Sequence, residues 1–179
     1  MQFDHYSIRP LSTDDLIPYF EMVERNRPRL ADFFTGTVSR TQTLDDTRDF
    51  LADVTQRAQA RTYLPYLIID DTTGAFAGFL DLKNIDWSIP KAETGCYMDS
   101  RYAGTGIATK AFQVFCDHCF RSFGFRKLFL RTHESNAAAR RLAESTGFQQ
   151  EGILRWDYKT TSGQLVDLIY YGRLSEEPA

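Results

Sequence analysis

The sequence predicts one α/β domain (α+β in some classification schemes), built on a mixed β-sheet of about seven strands with about four helices. Its 179 residues suit a single domain over 1–179. Apolar segments with strand patterns alternate with segments of helical period, in the order strand, two helices, three strands, helix, strand, helix and two strands. The strand–helix–strand unit over 93–132 requires a right-handed crossover, so its two strands are expected to be parallel.

The first part of the chain pairs a short strand with a helix. Residues 5–9 predict the strand, and the helical pattern that follows runs over 12–25. Ser12 and Thr13 are both suitable N-caps. Because Pro28 lacks the backbone N–H that a helix interior needs, we expect the helix to end before it.

The period then changes from helix to strand. Residues 45–60 predict an amphipathic helix, and its leading aspartates suit the positive end of the helix dipole. The segment 63–70, the turn 71–74 and the segment 75–82 predict a hairpin, and 93–99 predicts a further strand.

The second half predicts the crossover helix and the far side of the sheet. The apolar positions of 104–123 fall on one helical face, and Gly124 suits the left-handed residue that follows a helix. The remaining predicted elements are strand 126–132, helix 136–146 and a hairpin of strands 152–158 and 164–171.

Composition and charge argue against two classes of partner. The net charge is −3 and no basic stripe follows a predicted element, so we expect no direct nucleic-acid binding. No apolar segment approaches the roughly 20 residues of a membrane span, and the N-terminus lacks the apolar core of a secretion signal. We therefore expect a cytoplasmic protein without a membrane partner.

The three cysteines lack the number and spacing of a disulfide framework. Cys116 and Cys119 could be half of a metal site or a redox pair, but no second pair follows and no strand precedes them. We expect them to pack as small apolar residues one helical turn apart, and Cys96 to be a free thiol as well. The sequence predicts no metal site.

The segment RYAGTGIATKAF, which begins at Arg101, has two glycines where a helix should start. It follows the carboxyl end of a crossover strand, where ligands bind in α/β folds. Bare backbone at Gly104 and Gly106 would leave the first N–H groups of the helix open to an anion, most naturally a phosphate. Arg101 can add a charge-assisted bond. Tight helix packing without a ligand is the alternative.

Two common phosphate loops do not fit this segment. A Walker loop requires lysine and then serine or threonine after its last glycine, whereas Ile107 follows Gly106. A dinucleotide fingerprint requires glycine or alanine where Thr109 stands, and no acidic strand end follows about 20 residues later. A nucleotide-binding module is therefore disfavoured.

The pattern Arg101-x-x-Gly104-x-Gly106 after a strand resembles the acetyl-CoA loop of the GNAT N-acetyltransferase superfamily. AETGCYMD resembles the family's fourth strand, LFLRTHESNAAARRLAESTGFQQEGILR its fifth strand, fourth helix and sixth strand, and GQLVDLIYY its last strand. The resemblance covers roughly residues 60–173 and is closest to the ribosomal-protein N-terminal acetyltransferases. It implies a GNAT-type domain whose fourth and fifth strands are splayed apart by a bulge.

The resemblance implies acetyl-CoA as cosubstrate and no metal. The CoA pyrophosphate would lie on the backbone N–H groups from Arg101 to Gly106, and the pantetheine arm would enter the gap and pair with 97–99. Asn136 matches the asparagine that holds the pantetheine, and it also suits a helix N-cap. The implied cofactor-binding residues are Tyr97, Met98, Asp99, Arg101, Tyr102, Ala103, Gly104, Thr105, Gly106 and Asn136.

The resemblance also implies direct attack of a neutral amine on the thioester. The backbone N–H of Met98 would polarise the acetyl carbonyl, an interaction worth about 3–4 kcal/mol in the transition state. Glu93 matches a strand glutamate that often acts as base through water, and a strand residue without a catalytic role is the alternative. The weaker candidates for the base are Asp81, Asp86 and Glu151.

The chain departs from the family at the general acid. Ala139 stands three residues after the motif asparagine, where the subgroup usually has a serine that protonates the leaving thiolate. Ala143 stands where many other members have a tyrosine. The acid is therefore unassigned, and water or Tyr158 from the final hairpin could serve.

We expect an N-acetyltransferase whose acceptor is a primary amine, most naturally an α-amine of a protein or peptide. A small-molecule amine (an antibiotic, polyamine or amino acid) and a non-catalytic CoA-binding module are the alternatives. The acceptor site is expected between the N-terminal helices, loop 84–91 and hairpin 155–165, where Trp87, Trp156 and Tyr158 could line it. The sequence does not distinguish a monomer from a homodimer.

Overall fold

The computed structural model describes residues 1–176, which form one eight-stranded sheet with helices on both faces. The strands are β1 (Gln2–Phe3), β2 (Tyr6–Pro10), β3 (Leu64–Asp70), β4 (Phe76–Asp86), β5 (Lys91–Met98), β6 (Lys127–His133), β7 (Gln149–Lys159) and β8 (Leu165–Leu174). The helices are α1 (Leu16–Leu30), α2 (Thr35–Ser39), α3 (Leu44–Gln59), α4 (Ile107–Phe123) and α5 (Ala137–Ser145), with 3₁₀ turns at Thr13–Asp15 and Ser100–Tyr102.

The sheet order is β1-β2-β3-β4-β5-β6-β8-β7. Neighbouring strands are antiparallel except β5 and β6, which are parallel. The predicted α/β fold with a mixed sheet and a crossover through α4 is therefore confirmed. The elements beyond those expected are β1 and α2, which span two and five residues and are too short for periodicity to reveal.

Helix α1 continues through Pro28 to Leu30, so the expected end before Pro28 is wrong. The proline removes one helical hydrogen bond. Tertiary contacts offset this loss, because Leu30 is buried and Arg27 donates a 3.0 Å hydrogen bond to the carbonyl of Val38. The additional turn brings Arg29 to the carboxyl end of β5.

Two apolar clusters pack on opposite faces of the sheet. Phe112 of α4 lies in the cluster that also contains Leu80 of β4, whereas Tyr19 of α1 lies with Phe79. The neighbours Phe79 and Leu80 belong to different clusters because successive strand residues point to opposite faces. Cys116 and Cys119 are free and fully buried in the first cluster, which confirms their interpretation as core residues; Cys96 is also free and is half-buried.

Strands β5 and β6 separate soon after they meet, as the family resemblance implied. Their pairing covers 91–93 of β5 and 127–129 of β6, and beyond these residues β5 pairs with β4 and β6 with β8. The register of β4 on β5 is irregular between Lys83 and Asp86, where Asn84 has a φ of 48°. The gap between β5 and β6 therefore begins directly after Glu93.

Candidate active site

The turn after β5 is organised by one buried carboxylate, that of Asp99. It accepts a 2.9 Å hydrogen bond from the backbone N–H of Arg101, a 3.1 Å bond from the Arg101 side chain and a 2.8 Å ion pair from Arg25. Burial alone would raise the pKa of Asp99, but these bonds lower it below its usual value. Asp99 therefore holds the turn in shape as a carboxylate.

The two glycines of the loop have the conformation that the sequence suggested. Gly104 and Gly106 have φ values of 77° and 81°, and a Cβ added at either would meet open space. The backbone N–H groups of Gly104, Thr105 and Gly106 have no hydrogen-bond partner within residues 1–176. Gly106 is the N-cap of α4 and supplies no side-chain cap. The loop therefore presents free donors at the positive end of a helix dipole.

Tyr102 and Ala103, also predicted to bind the cofactor, have backbone N–H groups that are already hydrogen-bonded and therefore stabilise the conformation of the loop. The N–H groups of Tyr102 and Ala103 bond to the carbonyls of Asp99 and Ser100 within the turn. The hydroxyl of Tyr102 donates to Asp70 at 3.1 Å, which ties the loop to β3.

Helix α1 supplies support for the loop that the sequence reasoning missed. Asn26, fully buried, accepts a 2.9 Å hydrogen bond from the N–H of Ser100. Arg29 donates to the carbonyl of Met98 at 3.4 Å. Together with Arg25 these side chains lie within one helical turn, so a polar cluster beside the apolar stripe of α1 was the available signal.

The three residues predicted to pair with an added strand do not face the same way. The N–H of Asp99 donates to the carbonyl of Ala77 in β4 at 2.9 Å. Backbone N–H groups of successive strand residues point to alternate sides, so that of Tyr97 also points to β4, whereas that of Met98 points into the gap. The side chain of Tyr97 is buried against Phe79, with ring centroids 5.2 Å apart.

A cavity of about 260 Å³ occupies the gap between β5 and β6. Side chains from both faces of the sheet line it, including Glu93 and Tyr158 on one face and Asn136 of the α5 N-terminus on the other. The loop 101–106 lies outside the cavity wall. The structure thus brings Glu93 and Asn136 to one cavity and keeps the glycine loop as a separate surface.

Glu93 is buried within a polar cluster. It is 4% exposed, and its Oε2 accepts hydrogen bonds from Asn84 at 2.6 Å and Arg131 at 2.8 Å. Its Oε1 lies 3.8 Å from Nζ of Lys83 and makes no hydrogen bond within residues 1–176. Arg131 also donates to Asp157 at 2.6 Å. Glu93 is therefore anchored by one oxygen, and in the described part of the chain its other oxygen has only the longer ion pair with Lys83.

Two cations of this cluster are held in their charged forms. The negative charge of Asp81 raises the pKa of Lys83, and the charge of Glu93 raises it further. Burial acts in the opposite direction but is outweighed. Burial alone would lower the pKa of Arg131, but its bonds to Glu93 and Asp157 raise it. The sequence did not predict a role for Lys83 or Arg131, because neither residue lies in a motif that would identify it.

The weaker candidates for the base lie outside the cavity lining. Asp81 is buried and accepts a 2.9 Å hydrogen bond from the hydroxyl of Tyr63. Asp86 caps the turn of residues 88–89, and Glu151 pairs with Lys127. Each of the three therefore makes a contact within the fold, and none lines the cavity.

A bulge in β7 brings the final hairpin to the cavity. The register of β7 on β8 is irregular between Leu154 and Tyr158, and Trp156 there has a φ of 54°. Asp157 and Tyr158 line the cavity, and the Tyr158 hydroxyl donates to Oγ1 of Thr35 at 2.9 Å. Trp156 is 75% exposed and outside the cavity lining.

The side opposite Glu93 contains the motif asparagine and the two alanine positions. Oδ1 of Asn136 accepts a 3.1 Å hydrogen bond from the N–H of Ala139, so Asn136 caps α5 as predicted. Ala139 lines the cavity, whereas Ala143 is buried in the core. Trp87 stacks on Phe125, with centroids 4.9 Å apart, and does not line the cavity.

Within residues 1–176, none of the helices is long and apolar enough to cross a membrane. No three side chains of histidine, cysteine, aspartate or glutamate come together as a potential metal site in that part of the chain.

The chain is similar to known proteins in sequence and in fold. The chain is 27% identical over 176 residues to the putative ribosomal N-acetyltransferase YdaF of Bacillus subtilis (strain 168), covering 97% of this chain and 93% of that protein. It is 25% identical over 152 residues to spermidine N(1)-acetyltransferase of Escherichia coli (strain K12), covering 84% and 76%. The solved structure of RimL, a ribosomal L7/L12 alpha-N-protein acetyltransferase in complex with coenzyme A, has a TM-score of 0.87 at 20% identity, covering 96% of this chain and 95% of that chain.

The family described as "Acetyltransferase (GNAT) domain" matches residues 6–149. The matched region contains the crossover, the glycine loop and the separated strands β5 and β6. With most of the chain matched, this protein belongs to the GNAT acetyltransferase family and is an N-acetyltransferase.

Proposed function

We propose that this enzyme moves an acetyl group from acetyl-CoA to the α-amine of a protein or peptide. The observation that carries the proposal is the cavity between β5 and β6, which is lined by the buried Glu93. Strand alternation directs the N–H of Met98 to the same side of β5, beyond the residues that line the cavity. The names of two similar proteins support the acceptor class: YdaF is a putative ribosomal N-acetyltransferase and RimL an alpha-N-protein acetyltransferase.

The loop from Arg101 to Gly106 fits the pyrophosphate of CoA. The free N–H groups of Gly104 to Gly106 can donate to phosphate oxygens, and the absent side chains let an anion approach the start of α4. Arg101 binds Asp99 through Nε and Nη2, which leaves Nη1 for a charge-assisted bond.

The gap fits the pantetheine arm and the acetyl group. The backbone of Met98 faces the gap, and the side-chain amide of Asn136 has an Nδ2 without a partner in residues 1–176. Tyr97 and Asp99 contribute by fixing β5 against β4, because their own backbone groups point that way.

Bound acetyl-CoA would supply an activated thioester. The residues around it would accept the proton of the amine and stabilise the negative charge that develops on the carbonyl oxygen. A water on Oε1 of Glu93 would take the proton of the acceptor amine, so that Glu93 acts as base through water. The N–H of Met98 would donate to the carbonyl oxygen as negative charge develops there.

The leaving thiolate needs little help from the protein. A thiol has a pKa near 8.5, so its anion is a weak base that departs without a strong acid. Alanine at 139 is therefore compatible with turnover. Tyr158 is a weaker choice for this role, because its hydroxyl is bound to Thr35.

A small-molecule amine is the second candidate acceptor, and the similarity to spermidine N(1)-acetyltransferase favours it. An acceptor screen read by CoA thiol release tests both classes. We expect N-terminal peptides to release thiol faster than spermidine or free amino acids at equal concentration. Thiol release with spermidine but with no peptide would contradict the α-amine assignment. No thiol release with any amine would contradict the proposal that this protein catalyses acetyl transfer to an amine.

A further inference from the structure

The residues that follow α1 form an outer wall of the cavity. Asp32 and Phe34 are among the side chains that line it. Phe34 packs edge-on against Tyr97, with ring centroids 5.0 Å apart, and the next residue, Thr35, shares two hydrogen bonds with the hydroxyl of Tyr158. The wall is therefore attached to both β5 and β7, and the exposed Asp32 lies at its solvent side.

The carboxylates that line the cavity differ in whether they have partners. Glu93 and Asp157 both bind Arg131. Asp32 forms no hydrogen bond or ion pair with any side chain of residues 1–176. Of the arginines of α1, Arg25 pairs with Asp99 and Arg27 with Glu24. Arg29 donates through Nη1 to the carbonyl of Met98 and to Asn26, and forms no ion pair with Asp32.

The position of Asp32 in the chain increases its need for a cation. It follows the C-terminus of α1, which ends at Leu30 and carries the negative end of the helix dipole. A carboxylate there is unfavourable unless a positive charge lies close to it. The ring of Phe34, in the same wall, can attract a cation as well. A positively charged group is therefore the ligand that suits this wall.

The interior of the cavity has the opposite preference. Lys83 and Arg131 line it, and the carboxylates there are already engaged with Arg131. Positive charges beside an amine favour its neutral form, which is also the form that attacks a thioester. The interior suits the neutral reacting amine, while the mouth at Asp32 suits a cation.

We propose that Asp32 binds a second positive charge on the acceptor, separate from the amine that is acetylated. The enzyme then selects acceptors that carry a cation beside the reacting amine. This inference rests on the proposed function only in placing acetyl transfer in the same cavity. The second charge could be a basic side chain next to a peptide N-terminus or the second ammonium of a diamine.

Matched acceptor pairs test the proposal. One pair is two peptides that differ only in lysine or alanine at the second position, and the other is 1,4-diaminobutane against butylamine. With the wild-type enzyme we expect the member with the second cation to have a kcat/KM about five-fold higher, mainly through KM, as for an exposed ion pair. Added salt should reduce this preference.

Asp32→Asn should bring the two peptides to equal kcat/KM, and the diamine pair to the two-fold ratio that the two equivalent amines of 1,4-diaminobutane give by themselves. Asp49→Asn is the matched control, because Asp49 is an exposed aspartate of α3 that lies outside the cavity and has no partner within residues 1–176. This control should keep the preference. A wild-type preference no larger than that expected of Asp32→Asn, or a larger preference that survives in Asp32→Asn, would overturn the proposal.

The two acceptor pairs also separate this inference from the proposed function. If 1,4-diaminobutane and butylamine are acetylated but the peptides are not, the α-amine proposal fails, and the diamine pair still tests the role of Asp32. If neither pair is acetylated, calorimetric titration of the same two peptides into the protein with CoA present gives the comparison. Tighter binding of the lysine peptide that is lost in Asp32→Asn would support the inference, and equal binding would end it.

Discussion

Arg131 of β6 and Glu93 of β5 form a 2.8 Å ion pair across the gap where their strands separate. The same guanidinium donates a 2.6 Å hydrogen bond to Asp157 in β7. Because Glu93 is almost completely buried, this pair places a counter-charge beside a carboxylate that has little contact with water. One arginine therefore joins three strands around the cavity.

Replacing Arg131 should destabilise the protein. Arg131→Met removes the hydrogen-bonded cation of the buried Glu93 and leaves only Lys83, 3.8 Å from its other oxygen; breaking such a pair costs about 3 kcal/mol at pH 7. The low end of the range applies because the Arg131 side chain is 27% exposed. Urea unfolding measures the change. Arg131→Lys should recover part of the loss, and a Met variant as stable as the wild type would show that the pair contributes nothing.

Acid should weaken the protein through Asp99. Its pKa in the folded state is lowered, because the bonds from Arg101 and Arg25 outweigh the effect of burial. Its stabilising contribution is therefore present above the unfolded pKa of about 3.9 and is lost as the pH falls through the folded pKa. We expect Asp99→Asn to be less stable than wild type at pH 7. The difference should shrink between about pH 4 and pH 2, and a constant difference over that range would contradict this account.

Gly104→Val should abolish CoA binding. The new side chain would occupy the open space beside the free N–H groups, at a φ of 77° that β-branched residues avoid. Calorimetric titration with CoA measures the affinity. Gly163→Val is the control, because Gly163 has a similar φ of 86° in the turn between β7 and β8, outside the loop 101–106 and the cavity lining. Unchanged CoA affinity in a folded Gly104→Val protein would remove the loop from the binding site.

Glu93→Gln should lower kcat/KM by about 100-fold if Glu93 acts as base through water. An α-amine has a pKa near 7.7–8.0, so roughly a third of it is neutral at pH 7.5, and the reaction needs only a modest contribution from the base. Raising the pH should therefore restore part of the rate. A loss that is independent of pH would mean that Glu93 positions the substrate or Arg131. Full activity from about pH 6 to about pH 9 would exclude Glu93 from catalysis.

Gly95→Ala should be destabilising although glycine is usually weak in a strand. An added Cβ would lie 2.6 Å from Oδ1 of Asp81 on β4, a buried atom with no hydrogen-bond partner in residues 1–176. Overpacking of this kind costs about 1–3 kcal/mol. Gly36→Ala, in the open space of α2, should instead stabilise by about 0.5 kcal/mol. Thermal unfolding compares the two variants, and equal effects would refute the crowding argument.

The sequence by itself predicted the elements and the motifs whose signal is local. The parallel pairing of β5 and β6 follows from the order strand, helix, strand and the handedness of such crossovers. The left-handed Gly124 and the Asn136 cap follow from spacing within about one or two helical turns. The free backbone at Gly104 and Gly106 was predictable for the same reason. Local rules were wrong at Pro28, where packing of Leu30 outweighed the lost hydrogen bond.

Only the tertiary structure decided which side chains meet around the cavity. Arg25 reaches Asp99 across 74 positions of the chain, and Tyr158 reaches Thr35 across 123. Burial patterns along a sequence identify which face of an element is covered, but they carry no information about which distant polar groups will share a hydrogen bond. The ion pair between Arg131 and Glu93 lies where the pairing of β5 and β6 ends, and where two strands separate is a property of the whole sheet.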